Sequence, residues 1–272
     1  KEAEDILSNS YKKLVQLESL FSLYNDDSQL SMLNKNGYVK NPDPDMIALL
    51  NLSKKYAEIT DGAFDVTVQP LWNLYNEAFT KTNKPPKEDE IEKTLNLVDW
   101  RSISVNKNLI NYEVNGMSST LNGIAQGYIT DKISENLINS GINNTLVQLG
   151  EYRGIGDHPD GRPWRLLLSN PEHTDTIGEI EFTNAAVATS AGLGTPFDLY
   201  GKYHHIFDPK NGYNANKLLQ VSVIAKTAAE ADALATAFLV LDQKAAEKIA
   251  KKLNVGFEIF DNSRNRKIIT SI

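Results

Sequence analysis

Val221-Ser-Val-Ile-Ala225-Lys-Thr227-Ala-Ala-Glu230-Ala-Asp232-Ala-Leu-Ala-Thr236-Ala-Phe238-Leu-Val-Leu241 passes from a β-branched run into an alanine-rich one. The first part, 221–225, predicts a strand. Thr227 with Glu230 three residues on forms a capping-box pattern, which predicts a helix over 228–241. A second helix is expected over 244–253. Residues 256–260, a turn at Asp261-Asn262 and residues 267–270 then read as a hairpin. A strand, two helices and a hairpin do not make a βαβ unit.

Outward from this stretch the same irregular mixture continues. Strands are expected at 146–149, 164–168, 178–182 and 186–189, and a hairpin at 102–113 around Asn106-Lys-Asn108. Residues 64–75 open as a short apolar, β-branched piece, and 117–121 reads as extended. Helices are expected over the first 21 residues, over 45–59 after Asn41-Pro42-Asp43-Pro44, over 87–97 after the loop holding Pro85-Pro86, and over 123–139. Thr60-Asp61-Gly62 ends the second of these, with Gly62 in a left-handed position. The fold class is therefore α+β, with mixed or antiparallel sheets packed with helices rather than a doubly wound sheet.

Composition narrows the chemistry. The chain has 272 residues, 41% hydrophobic and 23% charged, within the globular range, and a length for one or two domains. Lys+Arg 28 against Asp+Glu 35 gives a net charge of −7, with no basic block, which argues against a nucleic-acid partner. No cysteine is present, which excludes disulfides, thiolate metal sites and a cysteine nucleophile. Four histidines are too few for a histidine-rich metal cage, so a bound metal would rest on oxygen ligands and be Mg2+ or Ca2+. No apolar run reaches the length of a membrane span. In residues 1–21 charged and apolar positions interleave, with Ile6, Leu7, Leu14, Leu17, Leu20 and Phe21 on one helical face, so the chain starts inside a structured element and not on a signal peptide.

Several segments have the residue types of a reactive site. Asp232 and Thr236 are four apart on one helix face among alanines. Such a carboxylate and hydroxyl are half of an oxygen-donor cation site. The spacing alone favours the plainer reading, an acid near a helix N-terminus and a threonine bonded back to a carbonyl. Leu121-Asn-Gly123-Ile-Ala-Gln126-Gly-Tyr128 opens a helix on a Gly-x-x-x-Gly pattern. It suits a phosphate at free N–H groups or, more simply, a tight turn. In Tyr203-His204-His205-Ile-Phe207-Asp208-Pro-Lys-Asn-Gly212 a histidine beside a carboxylate suits a general base. A turn capped by Asp208, with a histidine packed on an aromatic, fits equally well. Residues 156–165 read as a turn tipped by Asp160-Gly161, with His158 and His173 on the surface, and Gly192-Leu-Gly194 reads as a turn before it reads as a phosphate loop.

Six blocks in this order resemble the ApbE family of FAD:protein FMN transferases: 21–34, 60–75, 121–128, 159–164 with 186–190, 204–212 and 227–238. The resemblance implies an ApbE-like, T-fold-like single domain over 1–272, with the family's first strand falling before Lys1. It implies FAD and Mg2+ as cofactors, and transfer of the FMN half of FAD to a Ser or Thr hydroxyl of a partner redox protein, with AMP leaving. By the same motifs, Tyr24, Ala63, Phe64, Asp65, Thr120, Gln126, Phe207 and Asp208 would contact FAD. Asp232, Thr236 and the Gly123 backbone would hold the metal, and His205, with Asp232, would be catalytic. Thr120, Asn122 and Gln126 depart from the family's usual Asp, Gly and Lys or Glu, and Leu149-Gly-Glu-Tyr-Arg153 is one residue shorter than the usual block. Asn122, Gly-Glu-Tyr-Arg and His-His-Ile-Phe-Asp-Pro resemble the NosX-type branch that serves nitrous oxide respiration, and family habit implies a periplasmic or cell-envelope, exported protein. The departures leave open FAD binding or delivery without transfer, and the same pocket could instead hydrolyse FAD to FMN and AMP with water in place of the acceptor.

Overall fold

The computed structural model describes residues 2–270. Lys1, Ser271 and Ile272, which the 1–272 domain expectation includes, lie outside the described residues. The described residues form helices α1 (Glu2–Phe21), α2 (Gln29–Asn36), α3 (Pro44–Ile59), α4 (Gln69–Thr82), α5 (Glu88–Leu95), α6 (Ala125–Asn139), α7 (Ala228–Val240) and α8 (Gln243–Leu253). The strands are β1 (Tyr38–Lys40), β2 (Ile103–Val105), β3 (Leu109–Tyr112), β4 (Thr145–Gln148), β5 (Tyr152–Ile155), β6 (Trp164–Ser169), β7 (Thr176–Phe182), β8 (Ala186–Ala191), β9 (Leu218–Ala225), β10 (Gly256–Asp261) and β11 (Arg266–Thr270).

The main sheet has six strands in the order β11-β10-β9-β8-β5-β4, all neighbours antiparallel. Two smaller sheets, β1-β3-β2 and β6-β7, complete the α+β architecture. Helix α7 packs on β8 and β9 and against α6. It is apolar nearly all round, and ten of its alanines and large apolar residues are buried, so it sits inside the layer between sheet and helices. The main core runs from Leu17 to Ile259 through α7 without a break.

The joint between α6 and α7 positions the site. Gly127 has no Cβ because one would stand 2.4 Å from the Ala228 carbonyl oxygen. One turn further along α6, the Asp131 carboxylate accepts the N–H groups of Ala228 and Ala229 at 2.8 and 2.9 Å, satisfying two free donors at the start of α7. Arg153 on β5 closes the joint with an ion pair to Asp131 at 2.5 Å.

Several expectations need correction. Residues 66–75 are helical, with a 3-10 turn at Val66–Val68 leading into α4. The β-branched residues there are overruled by Asp65, whose carboxylate accepts the Thr67 N–H at 2.8 Å, and by Pro70 in the first turn of α4. Residues 117–121 form no strand, and their backbone is held by single bonds such as Thr120 N–H to Val66 C=O. Helix α6 begins at Ala125, after a turn that includes Gly123. The capping box at Thr227 is half formed: Thr227 Oγ1 accepts the Glu230 N–H at 3.2 Å, while the Glu230 carboxylate takes the Lys226 N–H. Helix α2 and strands β1 and β5 were not anticipated. The hairpins at β2-β3 and β10-β11 and the left-handed Gly62 (φ 77) stand as read.

Candidate active site

Asp232 and Thr236 lie on the same face of α7 and line a single large cavity of about 1520 Å3. Asp232 is 4% exposed. Its Oδ2 accepts the Gly127 N–H from α6 at 3.1 Å. Burial pushes its carboxyl well above the ordinary range, and the nearby Glu151 carboxylate adds to the rise. The Thr236 hydroxyl has Ser190 Oγ on β8 as a partner, 3.2 Å away, rather than a carbonyl of its own helix. Gly123 is adjacent: a Cβ there would stand 3.0 Å from Thr236 Oγ1 and 3.4 Å from the Phe64 ring. The structure thus brings Gly123 beside Thr236, with Asp232 one turn away on α7, all three lining the cavity.

The donor set suits a hard divalent cation. It is made of oxygens only, and Glu151 and Asp232 have no ion-pair partner among the described residues. Among the described residues no cluster of three or more His, Asp or Glu side chains converges, so a cation here would need hydroxyl and backbone oxygens besides carboxylate. Lys35 is the one Lys or Arg among the described residues that line the cavity, against Asp65, Glu113, Glu151 and Asp232. An anionic ligand such as a pyrophosphate finds little positive charge from side chains and would need a bound cation and backbone N–H groups.

The two adjacent histidines separate clearly. His204 is buried and satisfied: its Nδ1 accepts the Ile206 N–H at 3.2 Å and its Nε2 lies 3.1 Å from Asn216 Oδ1. Its ring packs on Gly192, where a Cβ would come within 2.7 Å. His205 lines the cavity, and its Nδ1 is buried with no hydrogen-bond partner. Burial, with the neighbouring His204 adding to it, lowers the His205 imidazole to about 4, so the ring is neutral at pH 7. A neutral imidazole lining a cavity is equipped to accept a proton.

The other expected residues divide. Tyr24, Ala63, Phe64, Asp65, Thr120, Gln126 and Phe207 all line the cavity. Tyr24 is 93% exposed at its edge. Asp65 is buried and bonded to Thr67 and to the Trp100 N–H, and burial outweighs these bonds and pushes its carboxyl up to about 6. Phe207 belongs also to an aromatic cluster, with its ring 4.9 Å from that of Tyr75. Asp208 is absent from the cavity lining although its neighbours Phe207 and Pro209 are in it, and its carboxylate caps its own turn through Lys210 N–H and Asn211 Nδ2. His158 lies on the surface, partly covered, where it bonds Asp160 and meets the Trp164 ring edge-on, and His173 is exposed at the cavity's margin. Residues Gly192–Gly194 form a 3-10 turn, with Gly194 at the cavity wall. Sequence reasoning assigned nothing to Glu151, Ser190, Lys35 or Trp72, which also line it. The Gly-Glu-Tyr-Arg block was the one available signal for Glu151.

Comparison with known proteins agrees with this geometry. The sequence model of the ApbE family matches residues 2–260. The chain is 30% identical to the FAD:protein FMN transferase of Haemophilus influenzae, over 93% of this chain and 77% of that protein. It is 28% identical to that of Vibrio cholerae, over 88% and 74%. Among solved structures, the ApbE protein of Thermotoga maritima superposes with a TM-score of 0.87 at 29% identity, covering 97% of this chain and 89% of that one. The apo form of Pseudomonas stutzeri flavinyl transferase ApbE gives 0.83 at 25%, covering 97% and 86%. With its sequence matched almost end to end and its fold shared with solved members, the chain belongs to the ApbE family.

Proposed function

We propose that this protein transfers the FMN moiety of FAD to a Ser or Thr hydroxyl of a partner redox protein and releases AMP. The observation that carries the reading is that Asp232, Thr236 and His205 line one cavity. The naming of its relatives as FAD:protein FMN transferases supports it. The new bond joins the acceptor oxygen to the FMN phosphorus, the bond from that phosphorus to the AMP oxygen breaks, and the acceptor's proton goes to a base.

Phosphoryl transfer depends chiefly on positioning and on neutralising charge. His205, which lines the cavity, is the base that takes the hydroxyl proton. Phe64, Trp72 and Phe207 supply apolar wall for the flavin. Asp232, Thr236 and the Gly123 backbone would hold Mg2+, which when bound supplies positive charge to the pyrophosphate. The backbone turn at Gly123 and the start of α6 offer N–H donors to the same phosphates.

The NosX-type branch and a cell-envelope location rest on the motif resemblance alone. The test is incubation with FAD, Mg2+ and a purified acceptor. A fluorescent acceptor band in denaturing gels is expected, and its absence with active family-type acceptors would overturn the reading.

A further inference from the structure

Glu151 is a buried carboxylate to which neither the motif resemblance nor the proposed chemistry gives a role. It is 8% exposed, faces the cavity and has no cationic partner among the described residues. Arg153, two residues along the chain, is engaged by Asp131. Burying a carboxylate without a counter-charge is unfavourable unless something in the working protein neutralises it.

Its position is fixed from both sides. Gly150, with φ 98, turns the chain between β4 and β5, and a Cβ there would come within 2.7 Å of the Gln126 carboxamide on α6. Pairing of Tyr152 with Val187 sets Glu151 against β8. There the Glu151 carboxylate lies close to the Thr189 backbone. The next residue on β8, Ser190, contacts Thr236 Oγ1 at 3.2 Å. Glu151 and Thr236 thus meet the same two-residue stretch of β8, and Asp232 lies one helical turn from Thr236.

We propose that Glu151 is a further ligand of the divalent cation held by Asp232 and Thr236, giving the site two carboxylates. This rests on the cation-binding part of the reading above. Mg2+ sites commonly combine one or two carboxylates with the substrate's phosphates, so a second carboxylate completes the charge balance without filling the positions the pyrophosphate needs.

The test uses the full chain and Mn2+ as the probe, titrated by calorimetry and electron paramagnetic resonance, with and without FAD, on the wild type, Glu151→Gln and Asp232→Asn. Glu151→Gln is expected to weaken Mn2+ by about tenfold or more, with a thermal midpoint in chelator no lower than wild type. Unchanged affinity in Glu151→Gln, with loss in Asp232→Asn, would overturn this inference and leave the cation reading standing. A wild type that takes up no Mn2+ even with FAD would overturn both. If Glu151→Gln fails to fold, anomalous diffraction from Mn2+-soaked wild-type crystals decides: manganese at ligand distance from the Glu151 carboxylate upholds the proposal, and manganese out of its reach overturns it.

Discussion

Asp232 on α7 accepts the backbone N–H of Gly127 on α6 at 3.1 Å, across 105 residues of sequence. The bond makes one carboxylate both a strut between two helices and a wall of the cavity. It depends on the close approach that Gly127 allows, since a Cβ there would meet backbone of Ala228 at 2.4 Å and of Ala229 at 2.7 Å. Neither neighbour is a side chain that can swing away. Gly127→Ala should therefore destabilise the fold by about 1–3 kcal/mol or more, read by urea denaturation, and weaken cation binding at Asp232 as the helices part. Unchanged stability would show that the helices are not in this register.

His205 is predicted to act on the chemical step. His205→Asn should lower kcat by about 10²–10⁴ while leaving the KM for FAD little changed. Because burial lowers the imidazole to about 4, it stays neutral and able to accept a proton at all higher pH. The acid limb of kcat/KM assigned to His205 should lie near 4 and not near 6.5. The stability sign follows from the same shift. Between about 6.5 and 4 the unfolded chain takes up a proton that the folded one refuses, so this group's contribution to stability falls as pH drops through that window. His205→Asn should flatten that dependence.

Gly123 tests the geometry of the cation pocket without breaking the core. A Cβ would press the Thr236 hydroxyl at 3.0 Å and meet the Phe64 ring at 3.4 Å, both side-chain rather than backbone atoms. Gly123→Ala should leave the thermal midpoint nearly unchanged and raise the Mg2+ concentration needed for half-maximal activity. A large drop in midpoint with normal Mg2+ dependence would place Gly123 in the scaffold instead.

Arg153 is predicted to matter for stability. Its ion pair neutralises Asp131, which is itself bonded to the first two N–H groups of α7. Arg153→Met leaves a largely buried carboxylate without its counter-charge and should destabilise by about 3–5 kcal/mol, measured by chemical denaturation. The double variant with Asp131→Asn should recover part of the loss.

The legible parts of the molecule were those with local signals. The stretch from β9 through α7 and α8 to the last hairpin was readable because each element has its own cap, period or turn residue. Asp232 and Thr236 were readable because helical spacing puts them on one face. Strand β1 was not, since its three residues are held by pairing with β3 some seventy positions away. Residues 66–75 had no decisive local signal, since Val66 and Val68 favour strands while the Asp65 carboxylate starts a helical turn. Glu151 had only the Gly-Glu-Tyr-Arg block to mark it. Its meaning arises when β5 and β8 return the chain to α7, 81 residues before Asp232. His204 and His205 were indistinguishable as neighbours in sequence, and only Asn216 and the Ile206 N–H show which of them is occupied.

The most direct measurement of the central claim is to quantify AMP and the intact mass of the acceptor protein in one reaction with FAD and Mg2+. The account predicts that AMP appears in step with acceptor molecules heavier by one FMN phosphoester, and that little AMP forms when the acceptor is left out or its Ser or Thr is replaced by Ala. AMP and free FMN released at the same rate without acceptor, or FAD bound tightly with no AMP at all, would contradict it.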